Sequence, residues 1–206
     1  MSKFKYGFYL ISHPADGFWD LKHEKRGSFG VAIMIMLMFF ISHLVSRQLT
    51  GWYFNTNFTE YLNVALEFVS NVGPYLLWIV SLWCVTSLMD GQGTIKDIST
   101  ATFYALIPMM LANFAATGFS HILTSREGMM LGLILGFGMV WSYGLIFLSV
   151  VITHQYTVLK GVVVTILSLL GMVIMMVLGL LVWFLVQQLM GFGWELYTEI
   201  MIRLTE

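Results

Sequence analysis

Five stretches of this 206-residue chain contain no Asp, Glu, Lys or Arg: Gly27 to Ser46, Phe68 to Met89, Ile98 to Ser125, Gly128 to Leu159 and Gly161 to Trp194. Each runs 20 residues or longer, the length an α-helix needs to cross about 30 Å of hydrocarbon. In lipid every backbone N–H and C=O must find a partner inside the protein, so only helices and closed barrels span a bilayer. The stretches lack the short alternation of barrel strands. The chain therefore reads as an all-α integral membrane protein, a five-transmembrane-helix bundle with short amphipathic interfacial helices. The expected spans are 28–46, 72–89, 99–123, 129–153 and 161–188, within one membrane domain covering 1–206.

The first apolar run begins near Ser28 and is too long for the core of a signal peptide, so it is expected to stay as a span. An odd number of spans puts the termini on opposite sides. With the N-terminus inside, the inner segments hold Lys3, Lys5, Lys22, Lys25, Arg26, Lys96 and Lys160, against Arg47, Arg126 and Arg203 outside. The positive-inside bias then favours a cytoplasmic N-terminus and an external C-terminus.

Between the first two spans, Tyr61, Leu62, Ala65, Leu66 and Val69 share one helical face and Glu60, Asn63, Glu67 and Ser70 the other. With Thr59 as N-cap, 59–71 reads as an outer interfacial helix, which places Glu67 on its wet side. Residues 1–27 and 189–206 read as an amphipathic lead-in and an amphipathic tail. Each is a membrane anchor or a docking element.

Catalytic signals are nearly absent. No span carries a central charge, and no pattern resembles a nucleophile–base pair, a phosphate loop or paired carboxylates. The lone Cys84 reads as a small buried apolar side chain. His43, His121 and His154 lie at span ends without metal-ligand spacing, although His43 and His121 share the outer end. No catalytic residue, metal or cofactor is expected, and a net charge of -1 gives no reason to expect nucleic acid.

Asn113 is the one strongly polar side chain near a span centre and calls for an interhelical hydrogen bond. Gly128, Gly132 and Gly136 form a small-xxx-small stripe on the fourth span, and Gly171 and Gly179 could do the same on the fifth. Gly73 and Pro74 start or bend the second span, and Pro108 should kink the third. A path beside Pro74, Pro108 and Asn113 would suit an apolar or lipid-like substrate. That is the alternative to a non-catalytic scaffold.

The most distinctive string is Asp90-Gly91-Gln92-Gly93-Thr94-Ile95-Lys96-Asp97, followed by Tyr104 four residues ahead of Pro108. Two glycines make a tight turn, and Thr94 with Asp97 forms a capping-box-like start to the next helix. This string, with Gly73-Pro74 and the Pro14…Phe18…Leu21 lead-in, resembles the Yip family, five-span proteins first known as Rab/Ypt GTPase-interacting proteins. Only 27 residues precede the first span, and no acidic residue stands just ahead of Gly73-Pro74. The resemblance is thus to the compact bacterial-type members. It implies a plasma-membrane scaffold or accessory subunit with membrane lipids around it. Its expected partner is another membrane complex, an ABC-type transporter favoured over a GTPase, with Gln92, Thr94, Lys96 and Asp97 as candidate contacts.

Overall fold

The computed structural model describes residues 3–24, 26–55 and 62–205. Among them the regular structure is helical, without a strand: α1 (Lys3–Ser12), α2 (Pro14–His23), α3 (Phe29–Leu49), α4 (Val64–Leu88), α5 (Ile95–Ala105), α6 (Ile107–Ser120), a 3-10 turn (Ser125–Glu127), α7 (Gly128–His154) and α8 (Val158–Thr205). Five helical segments are long and apolar enough to cross a membrane, α5 and α6 counting as one, so this is a multi-pass membrane protein.

Each turn carries local stop and start chemistry. The Asn63 carboxamide accepts from the backbone N–H groups of Ala65 and Leu66, both at 3.1 Å, and so starts α4. Asp90 and Gln155 take left-handed backbone (φ 57° and 54°) just past the ends of α4 and α7. Thr94 and Asp97 close a reciprocal capping box on α5, and Thr124 with Glu127 does the same ahead of α7. Those hydrogen bonds hold the Glu127 carboxyl below its ordinary pKa.

Two expected boundaries differ. The helix over 59–71 is not a separate interfacial piece: α4 starts at the Asn63 cap and runs through Pro74 to Leu88, while Thr59, Glu60 and Tyr61 lie outside the described residues. Likewise the tail at 189–206 is no separate element but the end of α8, 48 residues in one helix.

α3, α5, α6 and α7 form the centre, with α4 against α3 and α5, and α8 against α4 and α7. The lead-in folds back onto one end of this bundle. Leu10 and Phe18 are fully buried, and the Tyr6 hydroxyl donates to the Gly17 carbonyl. Burial, then the nearby Asp20, push the Tyr6 phenol above its ordinary pKa. Phe8 and Trp19 keep an anchor's exposure, Trp19 stacked on His23 at 4.0 Å. This end, with the turns at 89–94 and 155–157, is the near face below; residues 50–55, 62–63 and 121–127 lie at the far face.

Candidate functional site

On the near face the glycine turn is built around His154. The Gly93 N–H donates to His154 Nδ1 at 3.3 Å, and His154, 2% exposed, stacks on Tyr156 at 5.4 Å. The Tyr156 hydroxyl donates to the Met89 carbonyl at 3.0 Å, and Lys160 Nζ sits 4.5 Å over the Tyr156 ring. Burial, followed by Asp90, raises the Tyr156 phenol. Lys22 donates to the Thr153 carbonyl at 2.5 Å, capping α7 with a cation at its negative end. Burial lowers the Lys22 ammonium from its ordinary value, with Asp97 opposing.

The glycines of this turn are a packing requirement. A Cβ at Gly91 would stand 2.7 Å from His154 Nδ1, Thr86 Cβ and the Tyr156 hydroxyl, and one at Gly93 would stand 2.6 Å from His154 Cε1. Gly91→Ala and Gly93→Ala should each destabilise the protein by about 1–3 kcal/mol, read as a lower unfolding midpoint in detergent. His154→Ala should recover part of that loss in the Gly93→Ala background, where only the His154 ring obstructs, but not in the Gly91→Ala one, where Thr86 and Tyr156 still stand in the way. Of the proposed contact residues, Gln92, Thr94 and Lys96 are exposed here, whereas Asp97 is half-buried and its carboxylate serves the Thr94 cap.

On the far face Glu67 differs from its expected wet setting. Its carboxylate is buried, 6% exposed, and accepts from Arg47 and from His43 Nε2 at 3.0 Å. α4 turns Glu67 toward α3 and leaves Leu66 and Val69 exposed, the reverse of the expected orientation. Next to this cluster His43, Arg47, Thr50, Phe54 and Asn55 line an open cavity of about 390 Å³. His121 is elsewhere, its Nε2 2.7 Å from the Leu49 carbonyl oxygen. The His43–His121 pairing does not form, and among the described residues no three His, Cys, Asp or Glu side chains are placed to hold a metal.

Within the bundle Asn113 finds its partner: Nδ2 donates to Ser42 Oγ at 3.3 Å, joining α6 to α3. Pro108 stands in the first turn of α6, and the third span breaks at Leu106. Beyond the break the Met109 N–H is satisfied across the interface by Ser142 Oγ at 3.0 Å. Tyr104, fully buried, packs edge-to-face on Tyr6 at 6.2 Å. Pro74 sits inside α4, one residue past Gly73 and not at the start of the span.

The glycine stripe divides. Gly128 faces Phe54, but Gly132 and Gly136 are exposed, with nothing within 4 Å of where a Cβ would lie. The close approach is made by Gly138, whose Cβ would overlap Ala112 and stand 3.2 Å from the Pro108 carbonyl oxygen. On α8 Gly171 fits under Ser81, whose hydroxyl donates to the Ser168 carbonyl at 2.6 Å; Gly179 is open. Cys84, expected to be buried, is exposed on the outside of α4.

Pro74 and Pro108 line different cavities. Pro108 borders a groove of about 600 Å³ between α6 and α7, walled by Leu111, Phe137 and Trp141. Pro74 borders a second cavity of about 460 Å³ between α4, α7 and α8. Asn113 lines neither, so the three residues do not outline one path. The sequence reading missed His154, Gly138 and the second cavity. A stripe of small and polar residues on α7, Gly138, Ser142, Ser149 and Thr153, was the available signal for the packed face, and all four are buried.

What these clusters do chemically is hold helices together, by caps, charge pairing and close glycine contacts. Neither curated proteins nor solved structures gave a match. The Yip1 domain model, by contrast, matches residues 8–181, from the buried lead-in through the first half of α8. Its members are generally non-catalytic membrane proteins. The first four spans, the first half of α8, most of the folded lead-in and the capped glycine turn fall inside that match, and the chain belongs to the Yip1 domain family.

Proposed function

We propose that this protein is a non-catalytic scaffold or accessory subunit that docks another membrane complex through the outer face of α7. One observation carries the reading. Gly132 and Gly136 leave a shallow, exposed channel on a membrane-spanning helix that this chain's own described residues do not fill, and small residues are what allow a second transmembrane helix close approach. Exposed Leu133 and Val140 flank the channel and supply apolar contact. On the near face, exposed Gln92 and Lys96 add a polar handle, and the lysine and arginine distribution supports a cytoplasmic position for that face; the membrane we propose is the plasma membrane. An ABC-type transporter is the first partner to test, ahead of a GTPase.

The test is purification of the tagged protein in mild detergent, with mass spectrometry of what accompanies it. A stoichiometric transporter subunit is expected. The Gly132→Ile, Gly136→Ile double variant should lose it at least tenfold while keeping the wild-type elution volume and unfolding midpoint. A protein that purifies alone, or a partner retained in full by the double variant, sinks the proposal.

A further inference from the structure

On the near face Lys22 and Lys96 line one cavity of about 280 Å³, where α2, the start of α3, the start of α5 and the end of α7 meet. Among the described residues neither lysine makes an ion pair. Lys22 is half-buried and gives one ammonium proton to the Thr153 carbonyl, which leaves others to donate. Lys96 is exposed. Asp97 is on the same wall, but its Oδ2 is occupied by the Thr94 cap. Among the described lining residues two ammonium groups therefore stand against one carboxylate. Burial already weighs against the charged form of Lys22, and an anion beside it would offset that cost.

The cavity's surroundings specify the anion. Leu21 and Phe29 form its apolar part, and Phe29 is the first residue of the spanning helix α3. Phe29 also opens a file with Ile33, Leu37 and Ile41, all exposed and four residues apart on one side of that helix. An apolar track thus runs from the charged cavity into the membrane. The volume is just under that of pockets enclosing a whole small ligand, and it suits a headgroup whose chains stay outside. Lysines act on phosphate as point charges, and basic pockets at the membrane surface attract anionic lipids. We propose that the cavity holds the phosphate of an anionic phospholipid, with Lys22 and Lys96 on its oxygens and an acyl chain along the α3 file. Free phosphate shares the chemistry of the charged end, but it would leave the apolar track unused. A zwitterionic headgroup would bring a further cation to a site that already has one in excess. The inference goes beyond the docking reading and uses none of the channel on α7.

The experiment uses the full purified chain, free of any partner protein, in phosphatidylcholine nanodiscs. These contain a trace of phosphatidylglycerol with a diazirine in one acyl chain. After illumination, peptide mass spectrometry is expected to find label on α3 between Phe29 and Leu37. Unlabelled phosphatidylglycerol should compete it away, whereas the surrounding phosphatidylcholine and an excess of inorganic phosphate should not. Lys22→Gln and Lys96→Gln should each weaken labelling about fivefold, and the double variant should lose it. Lys160→Gln removes a near-face cation that lies outside the cavity and should leave labelling unchanged. Equal labelling by a phosphatidylcholine carrying the same diazirine would overturn the proposal. Displacement by inorganic phosphate would overturn it in favour of a free anion. A loss in Lys160→Gln as large as that in Lys96→Gln would reduce it to general surface charge. Full labelling of Lys96→Gln would also overturn it. The exposed Lys96 side chain holds no partner in the fold, so that variant decides the matter even if Lys22→Gln fails to fold.

Discussion

Glu67→Ala is expected to destabilise the bundle by about 2–3 kcal/mol, seen as a lower midpoint of thermal or denaturant unfolding in micelles. The reason is the company this carboxylate keeps. It is buried between Arg47 and His43, and removing one member of a buried ion pair leaves the other charge uncompensated, at a cost of about 3–5 kcal/mol. The Arg47 side chain is 30% exposed and can turn toward water or headgroups, which brings the expected cost below that range. A second variant separates lost charge pairing from lost packing. Glu67→Met with Arg47→Met should regain most of the stability, because replacing both ions with apolar groups is often neutral. Equal destabilisation of the single and double variants would mean that the pair is not what holds α3 to α4 here.

Gly138→Val should have the larger effect and prevent the bundle from assembling. The contact is against backbone as well as side chain: a Cβ would meet Ala112, the Pro108 carbonyl oxygen at 3.2 Å and Met109 Cα at 3.4 Å. Backbone cannot rotate aside, so α6 and α7 must separate along their interface. Separation would also pull Ser142 from the Met109 N–H, leaving a donor unpaired in the membrane at a further cost of about 1–3 kcal/mol. Gly138→Ala should already cost about 2–3 kcal/mol. Gly136→Ala, two residues away and open, should be neutral or slightly stabilising through the better helix propensity of alanine. Yield and monodispersity on size exclusion, together with the unfolding midpoint, compare the three.

The five spans were readable in the sequence because hydropathy averages over about 20 residues and needs no knowledge of neighbours. The capping box at Thr94 and Asp97 was readable because its partners are three residues apart. What failed was anything set by contacts distant in the chain. Helical periodicity separates Glu67 from Leu66 and Val69 but does not say which side meets the bundle. In a spanning helix the apolar side is left exposed to lipid while Glu67 turns inward. Its actual partners lie 20 and 24 residues away on another helix. In the same way the four-residue glycine repeat at Gly128, Gly132 and Gly136 left open whether that side of α7 packs inside the bundle or against a second protein. The rotation of α7 is instead fixed by Gly138, Ser142 and Leu145 against the centre. His154 read as a span-end residue because nothing local announces that a loop 61 residues earlier will close over it.

The length of α8 has a mechanical consequence. At 48 residues it measures about 72 Å, more than twice the thickness of a hydrocarbon layer. Its anchorage, at Ser81–Ser168 and Gly171, lies near one end, and every residue from Met176 to Leu204 is exposed. Such a rod is a lever with its fulcrum close to the bundle and a long arm of about 50 Å beyond it. A rocking of only about 5° at the fulcrum sweeps the tip through about 4 Å. Because tilt is how an over-long helix adjusts to bilayer thickness, the arm converts small changes in the surrounding membrane into displacement of the chain's C-terminal end.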